Sequence, residues 1–244
     1  MKDFADLKTS EKFLDAVASG NKKEVERLAG AFCLEDFWSE AVGISISHRQ
    51  ESVFKFLTKE ENAQGYLSPE DLENSVRHLG SSLSDRAIIK PLLPLLVDQK
   101  KLLCSIFENA VSYGISPIVY ELAPMFKNLK TDVPDCLFLA VDAQCLDIVK
   151  FLCPLMDPKR NGSEALQFAS DLQNEDIFNC LYPLSDPKEA LRLMLDPNHK
   201  KMVGFSDKSH LMLLSRVTED ERNDIKNHIK KETNKKPFSK KSKL

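Results

Sequence analysis

Apolar residues recur along this chain at helical spacing, and the helices they predict recur at a longer fixed period. Cys136 to Asp142 carries apolar side chains at i, i+3 and i+4 intervals, and Ile148-Val149 with Phe151-Leu152 supplies a second stripe shortly afterwards. The pattern predicts two short helices joined by a tight turn. The same pair returns when Ala110, Ala140 and Ala169 are taken as equivalent, at position 0 of a common ruler. Position 9 is then Val119, Val149 and Phe178; position 12 is Leu122, Leu152 and Leu181; position 14 is Pro124, Pro154 and Pro183. The copies follow one another after 30 and then 29 residues.

The ruler also fits the N-terminal region, where Ala16, Gly20, Val25 and Leu28 stand at positions 0, 4, 9 and 12, and Ala110 and Gly114 repeat the first two. Two further copies are expected in between. One runs from Glu40-Ala41-Val42 to Val53-Phe54-Lys55-Phe56-Leu57, the other from Asn74-Ser75-Val76 to Ile88-Ile89 and Leu92-Leu93, each with three or four extra residues between its helices. Beyond Ala169 a decayed copy retains Ala190 and Met202, and Ser206-Asp207-Lys208 echoes Ser185-Asp186-Pro187-Lys188. A small residue at position 0 lets the first helix approach its neighbour closely. Proline at position 14 ends the second helix, because it lacks an amide and clashes with the preceding turn. The Asp-Pro-Lys that follows Pro154 and Pro183 turns the chain toward the next pair.

One helix hairpin cannot bury its apolar face alone, so hairpins of this kind must stack. The expected fold is all-α: an α-solenoid of about six or seven helix pairs over residues 1–216. Thr218-Glu-Asp-Glu221 reads as a capping box that opens a C-terminal capping helix over residues 217–233, with acids at its positive end. Residues 234–244 read as a basic, disordered tail.

The strings Phe151-Leu-Cys-Pro-Leu-Met-Asp-Pro-Lys159, Asn161-Gly-Ser-Glu-Ala-Leu-Gln-Phe-Ala169 and Cys180-Leu-Tyr-Pro-Leu-Ser-Asp-Pro-Lys188 resemble the divergent ankyrin-type repeats of bacterial and large-virus proteins, whose units carry P-x-x-DPK and S-x-A-L-Q. The likeness is close over residues 133–190 and looser from about 11 to 208. It implies an ankyrin-like, protein-binding scaffold without catalysis. The sequence departs from ordinary ankyrin units in having Ser163-Glu164-Ala165-Leu166 where T-P-L-H is usual, and in a shorter period, which imply shortened fingers. Gln144 and Gln173 replace the position-4 glycines, which a helix pair accommodates if that residue lies outside the left-handed region.

Composition narrows the function classes. The chain has 244 residues, 42% hydrophobic and 29% charged, with only 8 glycines. No run approaches the ~20 apolar residues of a membrane span, so no membrane role is expected. The net charge of -3 hides an asymmetry: Lys226 to Leu244 holds eight lysines and one acid, a charge of +7, which leaves -10 on residues 1–225. An acidic body argues against nucleic acid as partner and suits masking of a basic protein. The N-terminal Met1-Lys2-Asp3-Phe4-Ala5-Asp6 lacks the pattern of a secretory signal, and the expected location is cytoplasmic. The lysine-rich end leaves delivery into a host cell as an alternative, and Ser242-Lys243-Leu244 matches a peroxisomal address.

Candidate chemistry is sparse. The six cysteines, Cys33, Cys104, Cys136, Cys145, Cys153 and Cys180, lie mostly among apolar neighbours without a C-x-x-C pair and read as reduced structural thiols. His48, His78, His199, His210 and His228 match no zinc or metalloprotease spacing. No glycine-rich phosphate loop is present. No catalytic residue, metal or cofactor is therefore expected. Trp38 reads as a core anchor. The expected contact surface for a protein partner is a concave face built from turns and first helices: Lys159, Arg160, Glu164, Gln167, Asp171, Lys188, Glu189 and Arg192. The competing reading is a small enzyme or modifying factor with a cleft in the irregular segment Gln64–Lys101.

Overall fold

The computed structural model describes residues 4–31, 35–59, 73–74, 76–77, 79–96, 99–196 and 210–235. The described elements are all helical. They form two compact bodies, residues 1–127 and 128–244, a division that the repeat pattern does not announce.

In the N-terminal body, α1 (Phe4–Ala18) pairs with α2 (Lys22–Ala31), α3 (Glu35–Ser47) with α4 (Glu51–Leu57), and α6 (Lys100–Ser112) with α7 (Ser116–Leu122). Between the second and third pairs lies α5 (Arg86–Leu96), which packs on both α4 and α6. In the C-terminal body, the short α8 (Leu129–Asp132) precedes the pair α9 (Cys136–Asp142) and α10 (Leu146–Leu152) and the pair α11 (Arg160–Asp171) and α12 (Glu175–Leu181). Then come α13 (Pro187–Leu195), α14 (Leu211–Arg216) and α15 (Glu219–Lys235). Within each body neighbouring pairs stack in parallel: α3 on α1 and α4 on α2, then α11 on α9 and α12 on α10.

Five hairpins share one turn. In each, the amide at position 5 donates to the carbonyl at position 0: Asn21 to Ala16, Gln50 to Ser45, Ile115 to Ala110, Cys145 to Ala140 and Asn174 to Ala169, over 2.8–3.2 Å. The position-4 amide donates to the carbonyl at position 1, as from Gly114 to Val111 (3.0 Å) and from Gln144 to Val141 (2.9 Å). These two bonds define the Schellman end of a helix, which needs a left-handed residue at position 4. All five comply: Gly20, Arg49, Gly114, Gln144 and Gln173 have φ between +52° and +72°. This corrects the expectation for Gln144 and Gln173, which take glycine's conformation despite their side chains. The backbone bonds hold them there, since the two carbonyls of the last turn would otherwise lack donors.

The turn also corrects the register of the second hairpin. Its position 0 is Ser45, not a residue of the Glu40-Ala41-Val42 string; Phe54 and Leu57 then fall at positions 9 and 12 with no extra residues. Ser45 is as buried as the alanines it replaces, and its hydroxyl donates to the Val42 carbonyl over 2.7 Å. The extra residues belong to the third copy alone, where Gly80–Asp85 separates Val76 from the buried Ile88, Ile89 and Leu92. Gly80 has φ +92°, and a Cβ there would lie 2.4 Å from the Ile106 carbonyl oxygen, so the inserted turn rests directly on α6. Proline does not stop this copy's second helix either: α5 runs through Pro91 and Pro94.

The core follows the ruler. Ala16, Ala110, Ala140 and Ala169 are buried, as are Val25, Val119, Val149 and Phe178, and Leu28, Leu122, Leu152 and Leu181. Position 14 acts as expected: α7 and α12 end two residues before Pro124 and Pro183, which enter the 3-10 turns Ala123–Met125 and Tyr182–Leu184. Asp186 then caps α13, accepting from the Glu189 amide over 3.1 Å with Pro187 in the first helical turn. Trp38 is a core anchor, stacked on Phe13 at 6.1 Å and donating from Nε1 to the Leu57 carbonyl over 3.1 Å. The capping box forms as read: the Glu221 amide donates to Thr218 Oγ1 (3.4 Å) and the Thr218 amide to Glu221 Oε2 (3.0 Å). α15 packs on α13 and extends to Lys235, two residues into the segment expected to be tail. Met202, Ser206-Asp207-Lys208 and Ser242-Lys243-Leu244 lie outside the described residues.

Candidate functional site

The eight residues expected to contact a partner all lie in the C-terminal body, on α11, α13 and the turns that lead into them. Those turns interlock. Ser163 is buried at φ +63°, and its hydroxyl accepts the Asp186 amide over 2.7 Å, while the Ser185 hydroxyl donates to the Pro158 carbonyl over 3.4 Å. The serine of one copy's Ser-x-Ala-Leu string thus holds the next copy's Asp-Pro-Lys turn, which brings the starts of α11 and α13 side by side.

Charged side chains at these starts are mostly paired. Arg160 Nη1 donates to Asp135 Oδ1 over 2.7 Å, and Lys188 Nζ lies 2.7 Å from Glu221 Oε1. Glu189 and Arg192 form a two-bond pair at 2.7 and 2.8 Å. Glu164 accepts from the Asn161 amide side chain over 2.8 Å. Exposed pairs of this kind contribute little to stability because solvent screens them, so they leave the rim open to exchange for a partner's charges. The Lys159 ammonium is exposed and makes no ion pair with a described residue. Asp171 is half-buried at the far end of α11. Gln167 corrects the expectation: it is 1% exposed, because it projects from the buried side of α11, and it cannot touch a partner.

Electrostatics reinforce a structural reading of these groups. Bonds from Lys188 and from the amide and hydroxyl of Thr218 hold the Glu221 carboxyl at about 2, and the same pairing raises Lys188. Burial, helped by the adjacent Cys180 thiol, pushes Cys153 up to about 12, which makes it a poor nucleophile. The five described cysteines are free thiols, and the described residues contain no group of three or more potential metal ligands. No helix among them is long and apolar enough to cross a membrane. His48 is exposed and His210 half-buried.

In the segment Gln64–Lys101, the described part is the inserted turn, α5 and the start of α6. Its one buried carboxylate is Asp85, which accepts from Arg49 Nε (2.7 Å), from the Gly80 amide (3.0 Å) and from the Ser82 amide (3.1 Å). Those donors fix the turn against the preceding hairpin, and Arg49 reaches Asp85 from its own left-handed position. Neither residue stood out in the sequence, since 36 positions separate them.

A groove also went unread. Its volume is about 380 Å³, and Glu175 and Phe178 of α12 face Leu211, Met212 and Arg216 of α14 across it. Its sides come from strings more than thirty residues apart, and no motif connects them. Comparison of the chain with protein-family models, curated proteins and solved structures gives no match.

Proposed function

We propose that the chain is a non-catalytic, ankyrin-like repeat scaffold, an α-solenoid that binds another protein. The observation that carries the reading is the shared hairpin: five copies keep the same buried positions and the same backbone turn while their exposed residues vary freely. Such economy suits a surface specified by exposed residues on a constant frame. The rim formed by Lys159, Arg160, Glu164, Lys188, Glu189 and Arg192 is the contact surface, and the charge of -10 on residues 1–225 favours masking of a basic partner as an inhibitor would.

The test is affinity capture from the native cell with the full chain and with the double variant Lys159→Glu/Lys188→Glu. Both sites are exposed, so circular dichroism of the variant should match the parent. Loss of particular captured proteins from the variant is the expected result; an unchanged set would remove this rim from the binding surface.

A further inference from the structure

Cys153 and Cys180 come from neighbouring hairpins of the C-terminal body and meet where the second helices of those hairpins stack. Cys153 is the residue on which α10 ends, and Cys180 is the last residue but one of α12, which packs on α10. On the common ruler they hold position 13 of one copy and position 11 of the next, and their thiols stand within hydrogen-bonding reach of each other. Helix axes that pack at about 8–10 Å, with Cα atoms about 2.3 Å off the axis, bring facing Cα atoms to roughly the 4.4–6.8 Å that a disulfide spans. The hairpin does not itself ask for sulfur at either place: the first two copies carry Ala29 and Phe56 in the same register. The two thiols also differ in access. Cys153 is 5% exposed and stays protonated, whereas Cys180 is half-buried and within reach of a small solute.

We propose that Cys153 and Cys180 are a reversible redox pair, closed by hydrogen peroxide into a disulfide that staples two neighbouring hairpins. The Cys180 sulfur attacks one peroxide oxygen, the O–O bond breaks, and the departing hydroxide takes the thiol proton as water. The sulfenic acid so formed lies against Cys153. The Cys153 sulfur then forms the S–S bond as the S–O bond breaks, and its proton leaves with the hydroxyl as a second water. Two thiols and one peroxide give one disulfide and two waters; a dithiol reductant reverses the closure by exchange and becomes a disulfide itself. Burial shields Cys153 from direct oxidation, and its fixed place beside Cys180 compensates for its protonation in the second step. Cys180 lies 27 positions after Cys153, so the bond restrains the unfolded chain and should raise the unfolding midpoint by at least about 5 °C.

The test treats the full chain with a small excess of hydrogen peroxide, blocks the remaining thiols with iodoacetamide under denaturing conditions, and digests with trypsin without reduction. Trypsin frees residues 151–159 and 161–188, each with a single cysteine. Mass spectrometry should show these two peptides joined, lighter by two hydrogens, at least about tenfold in excess over any other cysteine pairing, and dithiothreitol should separate them. Oxidation in urea should lose that preference. Cys153→Ala, which puts alanine where the first copy has Ala29, should leave Cys180 as a sulfenic acid that dimedone labels about tenfold more than in the parent. The oxidised parent should melt at least about 5 °C above its reduced form, and neither Cys153→Ala nor Cys180→Ala should show that shift. A reducible dimer, another cysteine as the main partner of Cys180, or oxidation of Cys180 to a sulfinic acid without linkage overturns the proposal, as does a linked pair with an unchanged midpoint. Each of these results is independent of capture through Lys159 and Lys188.

Discussion

Replacing both Gln144 and Gln173 with glycine should stabilise the protein. Each glutamine sits at the left-handed end of a first helix, with φ +52° and +54°. A residue with a Cβ carries a cost of roughly 1–2 kcal/mol there. Glycine removes that cost but gains freedom in the unfolded chain, which returns about 0.4–1 kcal/mol. The net gain is about 0.5–1 kcal/mol per site, or about 1–2 kcal/mol for the double variant. Every bond of the turn comes from backbone groups: the position-4 amides donate over 2.9 and 3.3 Å and the position-5 amides over 3.1 and 3.2 Å. No side-chain bond of the turn is therefore lost. For a chain of this size the gain corresponds to a rise of about 3–6 °C in the unfolding midpoint. Helicity at 222 nm, followed against heat and against urea, measures it. The reverse change Gly114→Gln should cost a similar amount. A double variant that melts at or below the parent temperature would refute the claim that these turns strain their glutamines.

Further outcomes follow from the polar contacts. Asp85→Ala should cost about 2–3 kcal/mol in urea unfolding, since it leaves the Gly80 and Ser82 amides without their acceptor and removes the ion pair of the partly exposed Arg49; a loss under about 1 kcal/mol would mean that the inserted turn does not depend on that carboxylate. In the folded chain the bonds from Lys188 and Thr218 hold Glu221 at about 2, below the ordinary glutamate value of 4.5. Its contribution is complete above about 4.5 and disappears as pH falls toward 2. Amide-exchange protection at the start of α15 should fall across that window in the parent and show no such fall in Glu221→Gln; identical profiles would contradict the assignment. Cys153, pushed up to about 12 by burial, should react with iodoacetamide at pH 8 at least tenfold more slowly than Cys104 or Cys145. Peptide mass spectrometry of a time course would show this, and equal labelling rates would contradict the burial argument.

What the sequence determined by itself was the helix pair and its buried positions. Alanine, valine and leucine at positions 0, 9 and 12 lie on the inner faces of two helices whatever the pairs stack on, because helical periodicity is local. The Thr218–Glu221 box was legible for the same reason, since it is satisfied within four residues, whereas Asp186-Pro187 read only as a turn and proves also to cap α13. The tertiary structure decided the rest. The ruler misplaced the second hairpin because it sought an alanine, whereas the turn is set by backbone bonds that accept Ser45 at position 0 and Arg49 at position 4. Gln167 looked like a surface residue because its chemistry is polar, and only the packing around α11 turned it inward. Arg49 with Asp85, and Glu175 facing Arg216, meet because separate hairpins bring them together. Their separation along the chain carries no periodic signal, since contacts of this kind depend on how the helices stack and not on any one helix.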